Sequence, residues 1–204
     1  MNQDQELFLV PEAIGTPFEG GFYGGKIRIG LTVFDIIWAP KAQGEINGNW
    51  LPKYASVPGA ASCYDSMANT KAMAEAGSSI AKAALAADIN GFRDWCVPAR
   101  DVLEMGYRGL KPTNRKNHCS FRDGDNASSL PPGYLYTPDE PAQTAATNFQ
   151  IAGSEAFDEA WYWSSTQSGE NHAFYQSFGS GGQYYTGKSC LGRCRFVRLI
   201  QLDS

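Results

Sequence analysis

The run from Trp161 to Thr166 carries the strongest strand pattern in the chain. Three aromatic residues precede three small hydroxyl residues, and this composition suits a short strand with buried rings. We expect the hydroxyls to bind backbone or ligand where the strand ends. Two more β-like runs follow at residues 173–178 and 194–202. The pattern therefore predicts that the first run is the central strand of an antiparallel sheet.

The N-terminal part of the chain predicts a β-hairpin. Its two arms are residues 26–29 and 32–39, and Gly30 lies between them. Four apolar side chains are expected to share one buried surface: Ile27, Ile29, Val33 and Ile37. Stretches rich in glycine or proline at residues 15–25 and 41–61 predict an irregular loop before the hairpin and a connecting loop after it.

Apolar residues at helical spacing predict two helices. The first covers residues 69–87, is capped by Asn69 or Thr70, and bends near Gly77. The second begins after Pro98 and turns an apolar face toward the core. The fold class predicted from these elements is α+β, with two helices packed on small antiparallel sheets.

Residues 111–155 show little periodicity and predict a long irregular loop. Several prolines and many small polar residues interrupt this segment, and Tyr134, Tyr136 and Phe149 are available to anchor it. We expect it to fold over one face of the sheet, because a segment of this length within a domain is usually functional or held by contacts.

A second hairpin supplies the candidate ligand-binding residues. Residues 173–178 and 183–186 form its arms, and the tip contains three glycines. Alternation directs Phe174 and Phe178 to the core. The expected exposed cluster of aromatic and amide groups comprises Asn171, Tyr175, Gln183, Tyr184 and Tyr185, which can stack on a sugar ring or a protein side chain. The alternative, that these tyrosines pack under the long loop, stays open at this point.

Composition and charge narrow the classes of partner. The chain has 17 basic and 21 acidic residues without long runs, and its net charge is -4, so we expect no nucleic-acid partner. The first ten residues lack the basic start and apolar run of a signal peptide, and no stretch is long enough to span a bilayer. We expect synthesis in the cytosol and no membrane insertion.

Candidate catalytic and metal-binding groups are few. Cys190 and Cys194 are similar to the two-cysteine segment of the formylglycine-generating enzymes, but their spacing is one residue short, and we expect a buried pair or a small disulfide. The acidic cluster at residues 123–126 predicts an ordinary turn. We expect the side chains of His118 and His172 to be solvated or packed, because the two lie far apart in the sequence. We therefore expect no catalytic residue, no metal and no cofactor.

Several spaced motifs together resemble a known bacterial and phage family. They are NGFRDWCVP at residues 90–98, the following helix, the strand at 161–165, Phe178-Gly179, and RFVR at 195–198. The family is named for the C-terminal domain of a collagen-like adhesin of Legionella, and its fold is C-type-lectin-like. This resemblance implies a lectin-like domain over residues 61–204, with residues 1–60 as an N-terminal hairpin and loop extension packed on it.

The resemblance also implies a function. It indicates a non-enzymatic recognition module of a tailed phage, such as a tail fibre or receptor-binding protein, that contacts bacterial surface polysaccharide or protein. Other tail proteins and further copies of the chain, in a trimer, are the expected partners. The expected location is the virion. Two alternatives stay open: a structural virion component without a ligand of its own, and the variable target protein of a diversity-generating retroelement.

Overall fold

A computed structural model describes residues 9–120 and 122–201 of the chain. The expectation that a signal peptide is absent concerns mainly residues 1–8, which lie outside this description, as does the end of the predicted final β run at Leu202. Within the described residues there are ten strands, four α-helices and two 3₁₀ turns. No described helix combines the length and the apolar character that a bilayer-spanning segment requires.

Most strands lie toward the two ends of the chain, and the three longer helices lie between them. The strands are β1 (Pro17–Phe18), β2 (Gly21–Ile29), β3 (Thr32–Trp38), β4 (Glu45–Asn49), β5 (Ser129–Leu130), β6 (Trp161–Gln167), β7 (His172–Ser177), β8 (Gln183–Gly187), β9 (Leu191–Arg195) and β10 (Val197–Ile200). The helices are α1 (Lys41–Gly44), α2 (Ser66–Glu75), α3 (Ser79–Ala86) and α4 (Arg100–Leu110). The 3₁₀ turns cover residues 58–60 and 147–149.

Two five-stranded sheets form the body. The first has the order β1-β2-β3-β10, with β5 also paired to β2, and the second has the order β4-β9-β6-β7-β8. The mixed α+β class is therefore confirmed, and β6 is the central strand of its sheet as predicted. The expectation of a purely antiparallel sheet is wrong, because β6 pairs in parallel with β9, Tyr162 opposite Arg193.

The N-terminal hairpin forms from β2 and β3, but it starts earlier than predicted. Residues 21–25 belong to β2 rather than to a loop, and a bulge follows Tyr23. Ile27 lies opposite Phe34, and this register places Val33 and Ile37 on the other face of the sheet. The prediction of one shared buried surface is therefore wrong: Ile27 and Ile37 belong to different hydrophobic clusters.

The segment predicted as a connecting loop after the hairpin contains regular structure. It includes the single-turn helix α1 and the edge strand β4, which pairs with β9. Trp50 is fully buried, and its indole Nε1 donates to the Ser164 carbonyl oxygen at 2.9 Å. Strands from the first sixty residues thus pair with β9 and β10 in both sheets. A domain boundary at residue 60 stays a prediction.

The predicted first helix is two helices, so the expectation of two helices in total is wrong. Asp65 caps α2 by accepting from Ala68 N at 2.9 Å, and Ser78 caps α3 by accepting from Ala81 N at 3.4 Å. Between them Gly77 has φ +104°, a conformation that favours glycine. The expected bend is therefore a complete break, and the caps lie outside the predicted positions.

The central strand β6 positions helix α4 through its hydroxyl groups. Helix α4 begins after Ala99, whose side chain offers no cap. Its first amides are bound from elsewhere: Ala99 N donates to Ser66 Oγ at 2.8 Å, and Arg100 N donates to Thr166 Oγ1 at 3.0 Å. Ser164 Oγ donates to the Phe174 carbonyl oxygen at 2.9 Å. The hydroxyls of Ser164 and Thr166 thus bind backbone groups. Binding to backbone was one of the two outcomes expected for them, and binding to a ligand was the other.

Candidate functional site

The hairpin of β7 and β8 forms as predicted and carries the candidate site. Tyr175 lies opposite Tyr184, and Phe174 lies opposite Tyr185. At the tip, Gly181 has φ +80°, and a Cβ atom there would lie 2.4 Å from the Tyr107 ring. Only glycine fits this position, because both the backbone conformation and the close approach exclude a side chain.

The five predicted ligand-binding residues do not form one exposed cluster. Tyr184 and Tyr185 are 41% and 60% exposed, and Gln183 is partly exposed beside them. Tyr175 is buried at 9% exposure, because the Trp161 ring stacks on it at 4.4 Å between centroids. Asn171 is exposed, but it lies at the opposite end of the hairpin. The expected exposure is therefore wrong for Tyr175, and Asn171 does not join Gln183, Tyr184 and Tyr185.

Gln183, Tyr184 and Tyr185 line a cleft, which we call the tyrosine cleft. Its volume is about 230 Å³. The lining residues come from β7, β8, the start of α4 and the long loop: Arg100, Ser120, Arg122, Asp125, Phe174, Gln183, Tyr184 and Tyr185. The long loop thus approaches the hairpin as expected, but it borders the tyrosines instead of covering them.

Asp123 joins the long loop to the hairpin. Its carboxylate is fully buried, and Oδ1 accepts from Gln183 N at 3.0 Å. The other oxygen, Oδ2, accepts from Ser120 N at 3.0 Å and lies 2.7 Å from His118 Nδ1. Gly124 N in turn donates to Gln183 Oε1 at 3.0 Å. The turn at residues 123–126 was predicted, but its role in holding β8 was not.

A hydrogen-bonded series of Asp123, His118 and Tyr184 borders the cleft. Because an ionised carboxylate only accepts, His118 Nδ1 carries the proton toward Asp123. His118 Nε2, 2.8 Å from Tyr184 Oη, is then free to accept from the tyrosine hydroxyl. His118 is exposed and packs beside the Tyr184 ring, as expected of a solvated or packed residue, but its hydrogen bond to Asp123 was not predicted. Sequence reasoning missed this series because Tyr184 is 66 positions away from His118 along the chain.

The charged groups of the cleft are fixed or lie at its rim. Arg100 donates to Asp101 Oδ1 from Nε at 3.0 Å and from Nη2 at 2.9 Å, and its guanidinium lies 5.6 Å from the centre of the Phe174 ring. Arg122 and Asp125 are exposed at the rim. The cleft therefore combines flat apolar rings with both donors and acceptors, which suits a ligand that has an apolar face and a polar edge.

Tyr184 and Cys194 are poorly suited to act as nucleophiles. Burial, and after it the Asp123 carboxylate, raises the pKa of the Tyr184 hydroxyl, so the phenol keeps its proton at neutral pH and is a poor nucleophile. Cys190 is exposed, Cys194 is buried and both are free thiols, so the expectation of a buried pair or a small disulfide is wrong. Burial raises the pKa of Cys194, which opposes thiolate formation. Among the described residues, no three His, Cys, Asp or Glu side chains converge as a metal site requires.

Comparison with known proteins adds no family assignment. No protein-family model matches the chain, and no curated protein matches its sequence significantly.

Proposed function

We propose that the chain is a non-enzymatic recognition module of a tailed phage, in a tail fibre or receptor-binding protein, and that the tyrosine cleft binds a bacterial surface polysaccharide. The observation that carries this proposal is a pair of exposed tyrosines on a hairpin whose position is fixed by a buried carboxylate. Rigid aromatic side chains give large contact area at low entropic cost, which is typical of recognition surfaces.

The proposed fold is C-type-lectin-like. Support comes from the resemblance of the spaced motifs and from the α+β body with two small sheets and a long segment between α4 and β6. A lectin-like scaffold presents loops and a hairpin to ligands, but a fold alone does not determine the ligand. The proposal for the ligand therefore depends on the cleft.

A sugar suits the tyrosine cleft better than a protein side chain does. The cleft is small, and its rings at Phe174, Tyr184 and Tyr185 are bordered by arginine, aspartate and serine side chains. A pyranose ring presents one apolar face for stacking and hydroxyls around its edge, and it can use both kinds of lining group. Weak single contacts would be strengthened by repeated copies of the chain, for which we propose a homotrimer attached to other tail proteins.

Removal of the two exposed rings tests the proposal. The double variant Tyr184→Ala, Tyr185→Ala should weaken binding to host cells and to purified surface polysaccharide by about tenfold or more, which corresponds to ~1.4 kcal/mol. Binding is measured with labelled protein on cells and by calorimetry with the polysaccharide. Thermal unfolding should stay close to that of the parent, because both side chains lie largely outside the core.

A matched pair of tyrosines elsewhere controls for loss of exposed aromatic area. Tyr54 and Tyr64 are exposed to a similar degree but do not line the cleft. The variant Tyr54→Ala, Tyr64→Ala should bind like the parent. Unchanged binding by the cleft variant would show that the hairpin is not the site. A parent protein that binds neither cells nor polysaccharide would instead favour a structural virion component.

A further inference from the structure

Trp161 is an exposed tryptophan held in a fixed orientation. It is the first residue of β6 and is 52% exposed. Its ring stacks on the buried Tyr175 ring at an interplanar angle of 14°, and Tyr175 in turn meets the edge of the Trp163 ring. Leaving so large an apolar side chain in water is unfavourable. A rigid and exposed indole is, however, a suitable platform for a ligand ring.

A second depression, which we call the tryptophan groove, opens beside this indole. Its volume is about 400 Å³, and its lining residues are Asn47, Ala160, Trp161, Leu191, Gly192 and Arg193. Leu191 is almost fully exposed opposite Asn49 on the neighbouring edge strand. The groove therefore offers two apolar side chains to solvent at the same place on the sheet.

The polar groups of the tryptophan groove are also positioned in advance. Arg193 Nη1 donates to Glu45 Oε1 at 3.1 Å and lies 2.8 Å from Asp158 Oδ2. Two carboxylates thus hold the guanidinium beside the indole. Asn47 lies directly across from Arg193 on β4 and is exposed. A flat ring with fixed donors and an amide beside it reproduces the chemistry of the tyrosine cleft.

A continuous row of aromatic rings connects the two depressions. Trp161 stacks on Tyr175, and the Tyr175 ring lies 6.2 Å from the Tyr184 ring between centroids. Tyr184 lines the tyrosine cleft. The row crosses the adjacent strands β6, β7 and β8, and neighbouring strands are ~4.8 Å apart. One buried ring, that of Tyr175, thus separates Trp161 in the groove from Tyr184 in the cleft.

We infer that the tryptophan groove is a second subsite, so that the ligand is an extended chain of sugar rings that lies across β6, β7 and β8. This inference rests on the proposed function and makes it more specific. A single sugar would occupy the tyrosine cleft alone. A polysaccharide would also place a second sugar ring on the exposed indole of Trp161, beside the Arg193 guanidinium.

The dependence of affinity on chain length tests this inference. The probe is surface polysaccharide from a strain that the parent protein binds, cut by mild acid and fractionated by size. Affinity of the parent, measured by calorimetry, should rise with fragment length by about tenfold once both depressions are reached. The Trp161→Ala variant should bind the shortest fragments like the parent and lose this gain, and Trp161→Phe should keep most of it.

Two further variants separate a subsite from a structural effect through Tyr175. Leu191→Asp places a charge in the groove without removing a ring from the aromatic stack, and it should also abolish the gain with length. Leu31→Ala, at the exposed tip between β2 and β3, is the control and should behave like the parent. A gain that persists in Trp161→Ala, or equal weakening for short and long fragments, overturns the inference. Failure of the parent to bind any fragment overturns the proposed function itself.

Discussion

Lys188 allows a quantitative test of the structure, because a lysine is buried beneath the hairpin sheet. Its side chain is fully buried, and Nζ donates to the Ala55 carbonyl oxygen at 2.8 Å and to Gln167 Oε1 at 3.0 Å. Nζ also lies 4.6 Å from the centre of the Trp50 ring. Burial lowers the pKa of Lys188 from 10.5 to about 8, since two neutral acceptors compensate only part of the lost hydration.

The sign of the pH effect follows from proton binding. Between pH 8 and 10.5 the unfolded chain holds a proton on Lys188 that the folded chain has released, so stability of the parent rises with pH in this window. Below about pH 8 the folded and the unfolded chain both hold this proton, and the contribution of Lys188 to stability does not change with pH. Replacement by Lys188→Met removes this titration. The difference in unfolding free energy, parent minus variant, should therefore increase as pH rises from 7 to 9.5.

The magnitude comes from the size of the pKa change. At ~1.36 kcal/mol per pKa unit the full effect is about 3 kcal/mol, of which about 2 kcal/mol is regained by pH 9.5. Relaxation of nearby dipoles and screening by solvent reduce such figures, and we expect an increase of about 1 kcal/mol. The absolute stability of the variant is a separate quantity, because Lys188→Met also removes the donor to the Ala55 carbonyl oxygen, whereas Gln167 Oε1 still accepts from Val57 N.

Urea unfolding of both proteins at pH 7 and 9.5, under reducing conditions, measures this difference. Other groups that titrate in the same pH range contribute equally to the unfolding free energies of both proteins, so their contributions cancel in the difference. Lys82→Met, which removes an exposed lysine from α3, controls for the loss of one positive charge. A difference that stays constant or decreases between the two pH values would refute the buried position of Lys188.

Three further changes have expected outcomes. Glu104→Ala should lower the unfolding free energy by about 3–5 kcal/mol in urea unfolding, because it leaves Arg108, 2.7 Å from Glu104 Oε1, without its buried partner; an effect below 1 kcal/mol would contradict it. Gly77→Ala should cost about 1 kcal/mol or more in the same assay, since φ there is +104°. Asp123→Asn should speed amide exchange at Gln183 and weaken polysaccharide binding, because an amide replaces an acceptor bound by three groups; unchanged exchange would contradict the role of Asp123.

Local patterns predict the elements but not how they pair. The β2–β3 and β7–β8 hairpins and α4 follow from periodicity and turn residues, and β6 follows from its run of rings and hydroxyls. The parallel pair of β6 with β9 does not, because no local pattern sets the direction of a distant neighbour. Likewise the final β run divides between two sheets at Phe196, although its residues favour strand throughout.

The candidate site was predictable only in part. Tyr184 and Tyr185 point to opposite faces of β8, and both are exposed because β8 is the edge strand of its sheet. Tyr175 was also expected to be exposed, yet it is buried because Trp161, from the neighbouring strand, covers its ring. His118 and Asp123 carry no local signal at all, and only the folding of the long loop brings them to β8.

The central strand fixes the borders of the tyrosine cleft without using the side chains that are exposed there. Strand β6 holds two elements that border the tyrosine cleft through its hydroxyl groups: Thr166 binds the backbone amide of Arg100 in α4, and Ser164 binds the backbone carbonyl of Phe174 in β7. Because these contacts are largely to backbone, they do not depend on which side chains follow along the cleft. Surface substitutions away from buried contacts usually change stability by less than ~0.5 kcal/mol. Exchange of exposed cleft side chains should therefore alter the proposed polysaccharide affinity much more than stability.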